Sequence, residues 1–359
     1  MEQIYASARK KLNIGLVGCG IAAELHAKAL AGVTDAKLAG AFAADRPQCE
    51  EFCKKYGLKS YKTLENLIDD ESIDIIDICT PSGTHRSLAE QAMRAGKHVI
   101  VEKPLAMTEE ECHQLLRIRD DTGRMLAPIS QLRFSPDIRA VHDAVQSGKL
   151  GRLTLCSVYM KYYRKPEYYT ASVWRGSRSM DGGALMNQGI HGVDLLQYLA
   201  GDVVSVFGVA KTLSRHIEVE DTLSAVIEFQ SGAIGVIQAT TSVYPGYPRR
   251  LEINGDNGTI VVEETAITKM DIAGSKTEDI TIRPSFATSA SSANAINADY
   301  HTAQLNDVID AIKEHRAPAV DIVEGRKAVD IILAIYRSAR EGRKVYIEEL
   351  NPKPNKLFC

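Results

Sequence analysis

The sequence predicts an α/β protein: a doubly wound parallel sheet in the first third of the chain, then a second α/β domain built on an antiparallel sheet. Three observations carry this. Apolar strand-like runs alternate with helical patterns from Leu12 to Ile129, the order that a parallel sheet with helical crossovers requires. The first strand runs straight into Gly18-Cys19-Gly20-Ile21-Ala22-Ala23 and a helix, the strand–turn–helix setting in which backbone N–H groups receive a pyrophosphate. Short strands separated by turn residues such as Ser231-Gly232 then fill Val203–Val262, as the hairpins of an antiparallel sheet do.

Length and composition fit this reading. A chain of 359 residues can bury two cores, and a boundary near residue 127 gives domains 1–127 and 128–359, with the last helices free to pack back on the first. Lys and Arg (43) nearly balance Asp and Glu (46), so no basic field invites nucleic acid or an anionic membrane surface. The 7 cysteines are scattered, with no C-x-x-C pair and no His/Cys ligand cluster; we read them as reduced, buried thiols of a cytoplasmic protein without a metal. Met1–Lys11 is polar and lacks the apolar core of a signal peptide, and no run is long enough to span a membrane.

In the first half, Leu12–Val17 is the opening strand. Gly18 permits the tight turn, Gly20 admits a close backbone approach to pyrophosphate, and the small Ala23 lets the helix pack closely. The strand Ala36–Phe42 ends at Ala43-Ala44-Asp45-Arg46, where an acid normally takes the ribose hydroxyls. Ala43 holds the strand-end position, so Asp45 either reaches the ribose or caps the helix that begins with Arg46-Pro47, while Arg46 is an alternative partner for a 2′-phosphate. NAD is favoured and NADP stays open. A helix over Leu64–Ile68, a strand over Ile73–Cys79 ending in Thr80-Pro81-Ser82, a helix over His85–Arg94, a helix over Thr108–Thr122 with Thr108 and Glu111 spaced as a capping box, and a strand over Met125–Ile129 follow.

Between those helices lies His98-Val99-Ile100-Val101-Glu102-Lys103-Pro104-Leu105. The apolar run marks a strand covered on both faces, and Pro104 stops it by removing a ladder donor. Ligands of open parallel sheets bind just beyond the carboxyl ends of strands. The stretch therefore delivers Lys103 to a site.

The combination Gly18-Cys19-Gly20-Ile21-Ala22-Ala23, Thr80-Pro81-Ser82-Gly83-Thr84-His85, Ala95-Gly96-Lys97-His98-Val99, Glu102-Lys103-Pro104-Leu105 and Gly182-Gly183-Ala184-Leu185-Met186-Asn187-Gln188-Gly189-Ile190-His191-Gly192-Val193-Asp194 resembles the glucose–fructose oxidoreductase/inositol dehydrogenase/rhizopine catabolism (Gfo/Idh/MocA) family. The resemblance implies a Rossmann domain plus a C-terminal α/β domain on an open, mainly antiparallel sheet, which binds substrate and mediates dimers or tetramers. It implies NAD(P)-dependent oxidation or reduction of sugars, cyclitols and their derivatives. Carried onto this sequence, it gives Lys103 a place beside the nicotinamide and His191 the acid/base role. Many relatives have Asp where this chain has Asn187, and an amide cannot stabilise an imidazolium as a carboxylate does. Asn187 with His191 is instead similar to the branch acting on nucleotide-linked sugars such as UDP-N-acetyl-glucosaminuronate, as are Ser130–Pro136, Lys161–Tyr169 and Trp174-Arg175-Gly176. The implied cofactor residues are Gly18, Cys19, Gly20, Ile21, Ala22, Ala23, Ala43, Asp45, Arg46, Thr80, Pro81, Ser82, His85, Glu102, Lys103, Gln131, Trp174 and Arg175. The implied substrate residues are Lys103, Arg133, Lys161, Tyr163, Arg164, Tyr169, Arg178, Asn187 and His191.

In the second half a helix over Pro136–Ser147 precedes a long strand over Leu153–Tyr163. Arg164–Asp181, rich in Arg, Tyr and Gly, reads as a loop whose aromatics and arginines can stack on a base and grip phosphate or carboxylate. Asn187, His191 and Leu195 fall on one face of a helix, with Asp194 spaced to orient His191. Gly189 and Gly192 each cost that helix roughly 1 kcal/mol against alanine, which suggests close approach by another backbone or a ligand. Strands over Val203–Lys211, Val219–Phe229, Ala233–Ser242, Arg250–Asn254 and Gly258–Val262, a Ser/Ala-rich mobile segment over Ser275–Ala298, and helices over Tyr300–Glu314 and Val323–Gly342 complete the reading.

The expected function is hydride transfer between NAD and a secondary alcohol of a sugar, with a nucleotide-linked sugar acid as the favoured substrate. An imidazole titrates near neutrality and a lysine far above it, so His191 is the expected base and Lys103 the donor that orients the hydroxyl. Burial beside oxidised nicotinamide could depress the lysine enough to exchange these roles. Alternatives within the same fold are a cyclitol dehydrogenase, a glycosidase that oxidises C3 with a retained NAD, and a non-catalytic dinucleotide-binding regulator. A homodimer or homotetramer is expected, because alternating strands leave a sheet face in need of cover.

Overall fold

The computed structural model describes residues 11–274 and 298–351. The chain forms two compact units, and α/β architecture holds in each. Residues 11–105, 113–129 and 298–323 make the first unit, and 106–112, 130–274 and 324–351 the second.

In the first unit β1 (Leu12–Val17), α1 (Ile21–Leu30), β2 (Ala36–Phe42), α2 (Arg46–Tyr56), β3 (Lys59–Ser60), α3 (Leu64–Ile68), β4 (Ile75–Ile78), α4 (His85–Arg94), β5 (His98–Val101), α5 (Glu109–Thr122) and β6 (Leu126–Pro128) follow in order. The strands lie side by side as β3-β2-β1-β4-β5-β6, every pair parallel. All four residues of β4 are buried, because helices cover both faces of such a sheet; three are isoleucines and the fourth is Asp77. On one face Ile14, Ile75 and Ile100 pack with Leu305 and Ile309 of α9 (Ala298–Glu314). The other face is filled by Leu16, Ala41, Cys49 and Phe52. The strand order reverses between β1 and β4, and a ligand crevice opens at such a switch point, beyond the strands' carboxyl ends. Strands β4 and β6 are shorter than their apolar runs suggested, and β3, two residues long, is too short to leave a pattern.

The second unit contains α6 (Pro136–Gln146), β7 (Leu153–Lys161), α7 (Pro166–Thr170), a π-helical turn (Ala184–Gly189), α8 (Ile190–Ala200), β8 (Val203–Lys211), β9 (Thr222–Phe229), β10 (Ile234–Thr240), β11 (Arg250–Gly255), β12 (Gly258–Glu263), β13 (Ala266–Ile272), α10 (Ile322–Glu341) and β14 (Val345–Tyr346). Its 8-stranded sheet runs β13-β12-β11-β7-β10-β9-β8-β14. Sequential hairpins alone do not build it: β10 pairs parallel to β7 while β11 pairs antiparallel to β7's other edge, so the chain returns after α8 to enclose its own earlier strand. The sequence pattern missed β13 and β14. Arg164–Asp181 is not wholly loop, since α7 forms within it, started by Pro166 at its first position. The segment expected to be mobile, Ser275–Ala298, lies outside the described residues except at Ala298, where α9 begins. Of the N-terminal Met1–Lys11, only Lys11 is described.

Helices occupy one sheet face. Gly208 lacks a Cβ where Ile335 of α10 presses in, and its N–H donates to Ser338 Oγ at 3.0 Å. On the opposite face Leu155, Phe207, Val209, Val226 and Ile234 are exposed. They form a continuous patch, because Phe207 stands opposite Val226 and Ile234 beside Leu155.

Candidate active site

In the first unit the site is built from four strand ends. Gly18 closes β1 with φ at 96°, and any side chain there would collide with the Cys79 carbonyl at the end of β4. Gly20 then caps α1 with no side-chain hydrogen bond, leaving first-turn N–H groups available to an anion. A Cβ on Gly20 would meet nothing within 4 Å, so a group with the bulk of a pyrophosphate can seat against its backbone. Cys19 and Ala23 are buried, Ala22 packs beside them, and Ile21 is 60 % exposed at the helix entrance.

Asp45 caps α2, its Oδ1 accepting from Gln48 N at 3.1 Å. Arg46 donates to the Tyr61 carbonyl and reaches Ser60 Oγ at 3.4 Å. Both side chains therefore have structural work near the buried Ala43. At the end of β4, Thr80 and Thr84 share a hydroxyl hydrogen bond of 2.7 Å, and Pro81 and Ser82 begin a single 3₁₀ turn. His85 starts α4 with its ring between two carbonyls, Nδ1 at 2.7 Å from Pro104 O and Nε2 at 2.9 Å from Thr80 O. Burial pushes its pKa below the ordinary value against the pull of these carbonyls, and the ring ties the ends of β4 and β5 together.

The turn Glu102-Lys103-Pro104 follows β5. Glu102 Oε2 accepts from the Lys103 backbone N–H at 3.0 Å, and Oε1 lies 3.1 Å from Nε2 of His26. The other nitrogen of His26 meets Asp77 Oδ2 at 2.8 Å. The sequence reading overlooked this cluster, although two signals were present: a histidine on the buried side of an Ala/Leu-rich helix, and Asp77 inside an otherwise all-isoleucine strand.

In the second unit the glycine pair turns the chain into the helix that bears His191. Gly182 has φ at 77°, and a side chain on Gly183 would overlap the Glu220 carboxylate. That carboxylate accepts from Leu185 N at 2.9 Å and Tyr336 OH at 2.8 Å. Burial raises its pKa against those two hydrogen bonds, while burial and the Glu220 carboxylate push Tyr336 well up. Glu220 and Tyr336 were not singled out from sequence; they cap a turn set far away in the chain.

Asn187 sits in the π-helical turn and His191 in the α-helix after it, so the uniform i, i+4 face expected over Asn187, His191 and Leu195 does not hold. A π turn adds a residue per turn and rotates everything downstream. Asn187 Nδ2 donates to Asp181 Oδ1, and Asp181 Oδ2 accepts from Gly176 N at 2.7 Å. Gln188 donates to Tyr168 OH at 2.9 Å and accepts from Arg164 Nη2 at 2.7 Å. Tyr169 OH donates to Thr241 at 2.8 Å, and burial pushes its pKa up to about 12 against that hydrogen bond. The segment 164–181 is thus tied to the residues just before His191.

Other expected residues have different surroundings. Arg133 is buried with Asp194, Nη2 to Oδ1 at 2.6 Å and Nε to Oδ2 at 3.0 Å, and also meets Glu324 at 3.1 Å. Both oxygens of Asp194 are therefore engaged by a guanidinium, the orienting role read for Asp194 toward His191 is displaced, and Arg133 has little capacity left for a substrate. The glycines before and after His191 answer to side-chain packing: a Cβ on Gly192 would strike Met160 Sδ, and one on Gly189 would press Leu185. Gln131 Oε1 is a buried acceptor with no partner among the described residues. Lys161 lies over the Tyr159 ring at 5.5 Å, and Tyr163 meets Tyr244 edge-on at 5.3 Å.

A cleft of about 530 Å³ opens beside this segment, lined by Tyr169, Arg175, Ser177, Thr212, Arg215, His216 and Glu218 among others. Arg175 stacks on Tyr168 at 3.8 Å and Trp174 at 5.4 Å, and Arg215 stacks on Tyr163 at 5.5 Å. Arg178 borders it through Glu218, its backbone N–H reaching Oε2 at 3.0 Å. Fixed guanidinium planes among aromatic rings suit a phosphate or carboxylate attached to a ring system.

Residues 12–129 match the oxidoreductase family with an NAD-binding Rossmann fold, and residues 138–261 match the GFO/IDH/MocA C-terminal domain. The chain belongs to the Gfo/Idh/MocA oxidoreductase family. As a Gfo/Idh/MocA protein it is an NAD-dependent oxidoreductase of the sugar and cyclitol type. It is 31% identical, with a TM-score of 0.85, to the WlbA dehydrogenase from Bordetella pertussis in complex with NADH and UDP-GlcNAcA, covering 94% of this chain and 99% of that one. It is 28% identical to an inositol 2-dehydrogenase of Rhizobium meliloti (strain 1021) over 94% of this chain and 99% of that one. A myo-inositol 2-dehydrogenase of Thermotoga maritima is 26% identical, again over 94% and 99%. No helix among the described residues is long and apolar enough to cross a membrane.

Proposed function

We propose that this family member oxidises one secondary hydroxyl of a nucleotide-linked sugar acid, a 3-dehydrogenase reaction. The observation that carries the reading is the cleft at the 164–181 segment, with Arg175, Arg215 and Tyr169 in its lining, a recognition surface larger and more basic than an uncharged cyclitol needs; the same segment is bonded to Asn187 and Gln188. Likeness to WlbA over nearly the whole chain supports it. The length of the match to two inositol dehydrogenases favours a cyclitol as the second reading.

In this scheme the first unit is the dinucleotide domain and the second the substrate domain. Backbone N–H groups after Gly18 and Gly20 hold the pyrophosphate, with Cys19, Ile21 and Ala22 forming the turn and Ala43, Thr80, Pro81, Ser82 and His85 bordering the crevice. NAD, when bound, accepts the hydride. His191 takes the hydroxyl proton, and Lys103 donates to the substrate oxygen and favours its alkoxide. Asn187 is held by Asp181, which gives the His191 turn a fixed carboxylate. Arg164, Tyr169, Arg178, Lys161 and Tyr163 contact the substrate together with Arg175 and Arg215. Arg133 serves the fold through Asp194. The exposed apolar patch of Leu155, Phe207, Val209, Val226 and Ile234 is a self-association surface, giving a homodimer or homotetramer. Six buried free cysteines among the described residues fit a reducing, cytoplasmic setting.

The test is single-turnover reduction of NAD with a panel of UDP-sugar acids, free sugars and inositols, with product analysis. Oxidation of a UDP-sugar acid at C3 with net NADH is the expected result. Preferential oxidation of inositol would replace this reading by the second, release of an aglycone without net NADH would indicate a glycosidase, and no turnover on any of them would indicate a regulator.

A further inference from the structure

The buried cluster behind the Glu102-Lys103-Pro104 turn has a donor and acceptor balance that fixes its protonation. Both ring nitrogens of His26 face carboxylate oxygens, Asp77 Oδ2 at 2.8 Å and Glu102 Oε1 at 3.1 Å. An ionised carboxylate only accepts, so both nitrogens must donate, and only an imidazolium carries two N–H groups. Burial would lower the His26 pKa, but the charge of Asp77 and the neighbouring Cys79 outweigh it and hold it well above the ordinary range. Burial likewise would raise Glu102, yet the hydrogen bond and charge of His26, then the charge of Lys103, hold that carboxyl well below its usual range. The groups around the ring are Asp77 from β4, Cys79 just after it, Glu102 after β5, and His301 from α9, whose ring centroid lies 5.4 Å away; Lys103 acts on Glu102.

We propose that His26 is a positioning residue for Lys103: a buried imidazolium on the dinucleotide-binding helix α1 that fixes the Glu102 carboxylate, and through it both the backbone and the charge of the lysine. The proposal rests on Lys103 being the residue that touches the reacting hydroxyl. The link is continuous, from ring to Glu102 Oε1, and from Glu102 Oε2 to the Lys103 N–H at 3.0 Å. It also sets a sign. Asp77 and Glu102 are negative and His26 positive; without the imidazolium the carboxylates hold the lysine ammonium more strongly, and without Glu102 the ammonium loses one nearby negative charge.

The test uses the full-length protein with lysines reductively methylated with carbon-13. The Lys103 resonance is assigned by its loss in Lys103→Arg and then titrated with pH in wild type, His26→Gln and Glu102→Gln. The Lys103 midpoint is expected to rise in His26→Gln and to fall in Glu102→Gln, each by about one pH unit or more. A packing role alone would not give shifts of opposite sign. Unmoved midpoints, or shifts of the same sign, would overturn the proposal. Should His26→Gln fail to fold, Glu102→Gln carries the test alone, and an unmoved or raised Lys103 midpoint there overturns the proposal. Turnover of Lys103→Ala is measured separately: full activity there removes the catalytic reading of the lysine, whatever the titration shows.

Discussion

Asp181 accepts a hydrogen bond from the side-chain amide of Asn187, and its second oxygen holds the Gly176 N–H. Asn187 thereby gains a carboxylate neighbour, supplied by the segment that leads into the helix start. An amide at 187 leaves room for that carboxylate, since two charged groups so close would repel.

This pairing makes a specific expectation. Asn187→Asp should lower kcat/KM by about 10- to 100-fold, the cost of losing a hydrogen bond to a charged group at about 1.5–3 kcal/mol. Adding Asp181→Asn should restore a large part, because donor and acceptor have then exchanged places. Steady-state kinetics on the two single variants and the double variant measure the coupling, and strictly additive losses would show that the pair does not act as a unit.

For the chemistry, His191→Ala and Lys103→Ala should each lower turnover by ~10²- to 10⁴-fold while NADH affinity stays close to wild type. Lys103→Arg should not rescue, since a guanidinium is longer, planar and does not release its proton. Rapid-mixing measurement of NAD reduction in a single turnover checks all three. Wild-type rates in both alanine variants would leave the mechanism without its centre.

At the glycine turn, Gly20→Asp should fold, because a side chain there points into open space. It should weaken NADH binding by about tenfold or more by facing the pyrophosphate with like charge. Ala23→Glu is the poorer probe, since Ala23 is fully buried and a carboxylate would damage the core. Ala43→Asp should strengthen any preference for NAD by repelling a 2′-phosphate. Fluorescence titration with NADH and NADPH reads both effects.

The His26 and Glu102 pair predicts a pH dependence of stability. The His26 pKa is raised on folding, so its contribution is fully present below the ordinary imidazole range and is lost as pH rises through the folded value. The Glu102 pKa is depressed, so its contribution is present above the ordinary carboxylate range and lost as pH falls through the folded value. His26→Gln should cost about 3–5 kcal/mol near neutral pH, as for a broken buried pair. The gap to wild type should narrow toward high pH in thermal or urea melts, and a constant gap would contradict the imidazolium.

The apolar sheet face yields the last expectation. Phe207→Asp or Val226→Asp places a charge in the middle of the exposed patch. Light scattering should report a multimer for wild type and a smaller species for these variants. A wild-type monomer at micromolar concentration would remove the proposed interface.

The sequence by itself determined the alternation of strand and helix in the first unit, the glycine turn at Gly18 and Gly20, the delivery of Lys103 by β5, and the family resemblance that the comparisons confirm. Each of these is written locally, as apolar period, turn residue or motif spacing, and survives in any fold that satisfies it. Tertiary structure decided which distant groups meet. It seated His26 between Asp77 and Glu102, gave Asn187 the carboxylate of Asp181, enclosed Arg133 with Asp194, paired β10 parallel to β7, and inserted the π turn before His191. Burial is the reason: once water is excluded, every donor and charge must find a partner, and that partner is chosen by packing across the fold rather than by spacing along the chain.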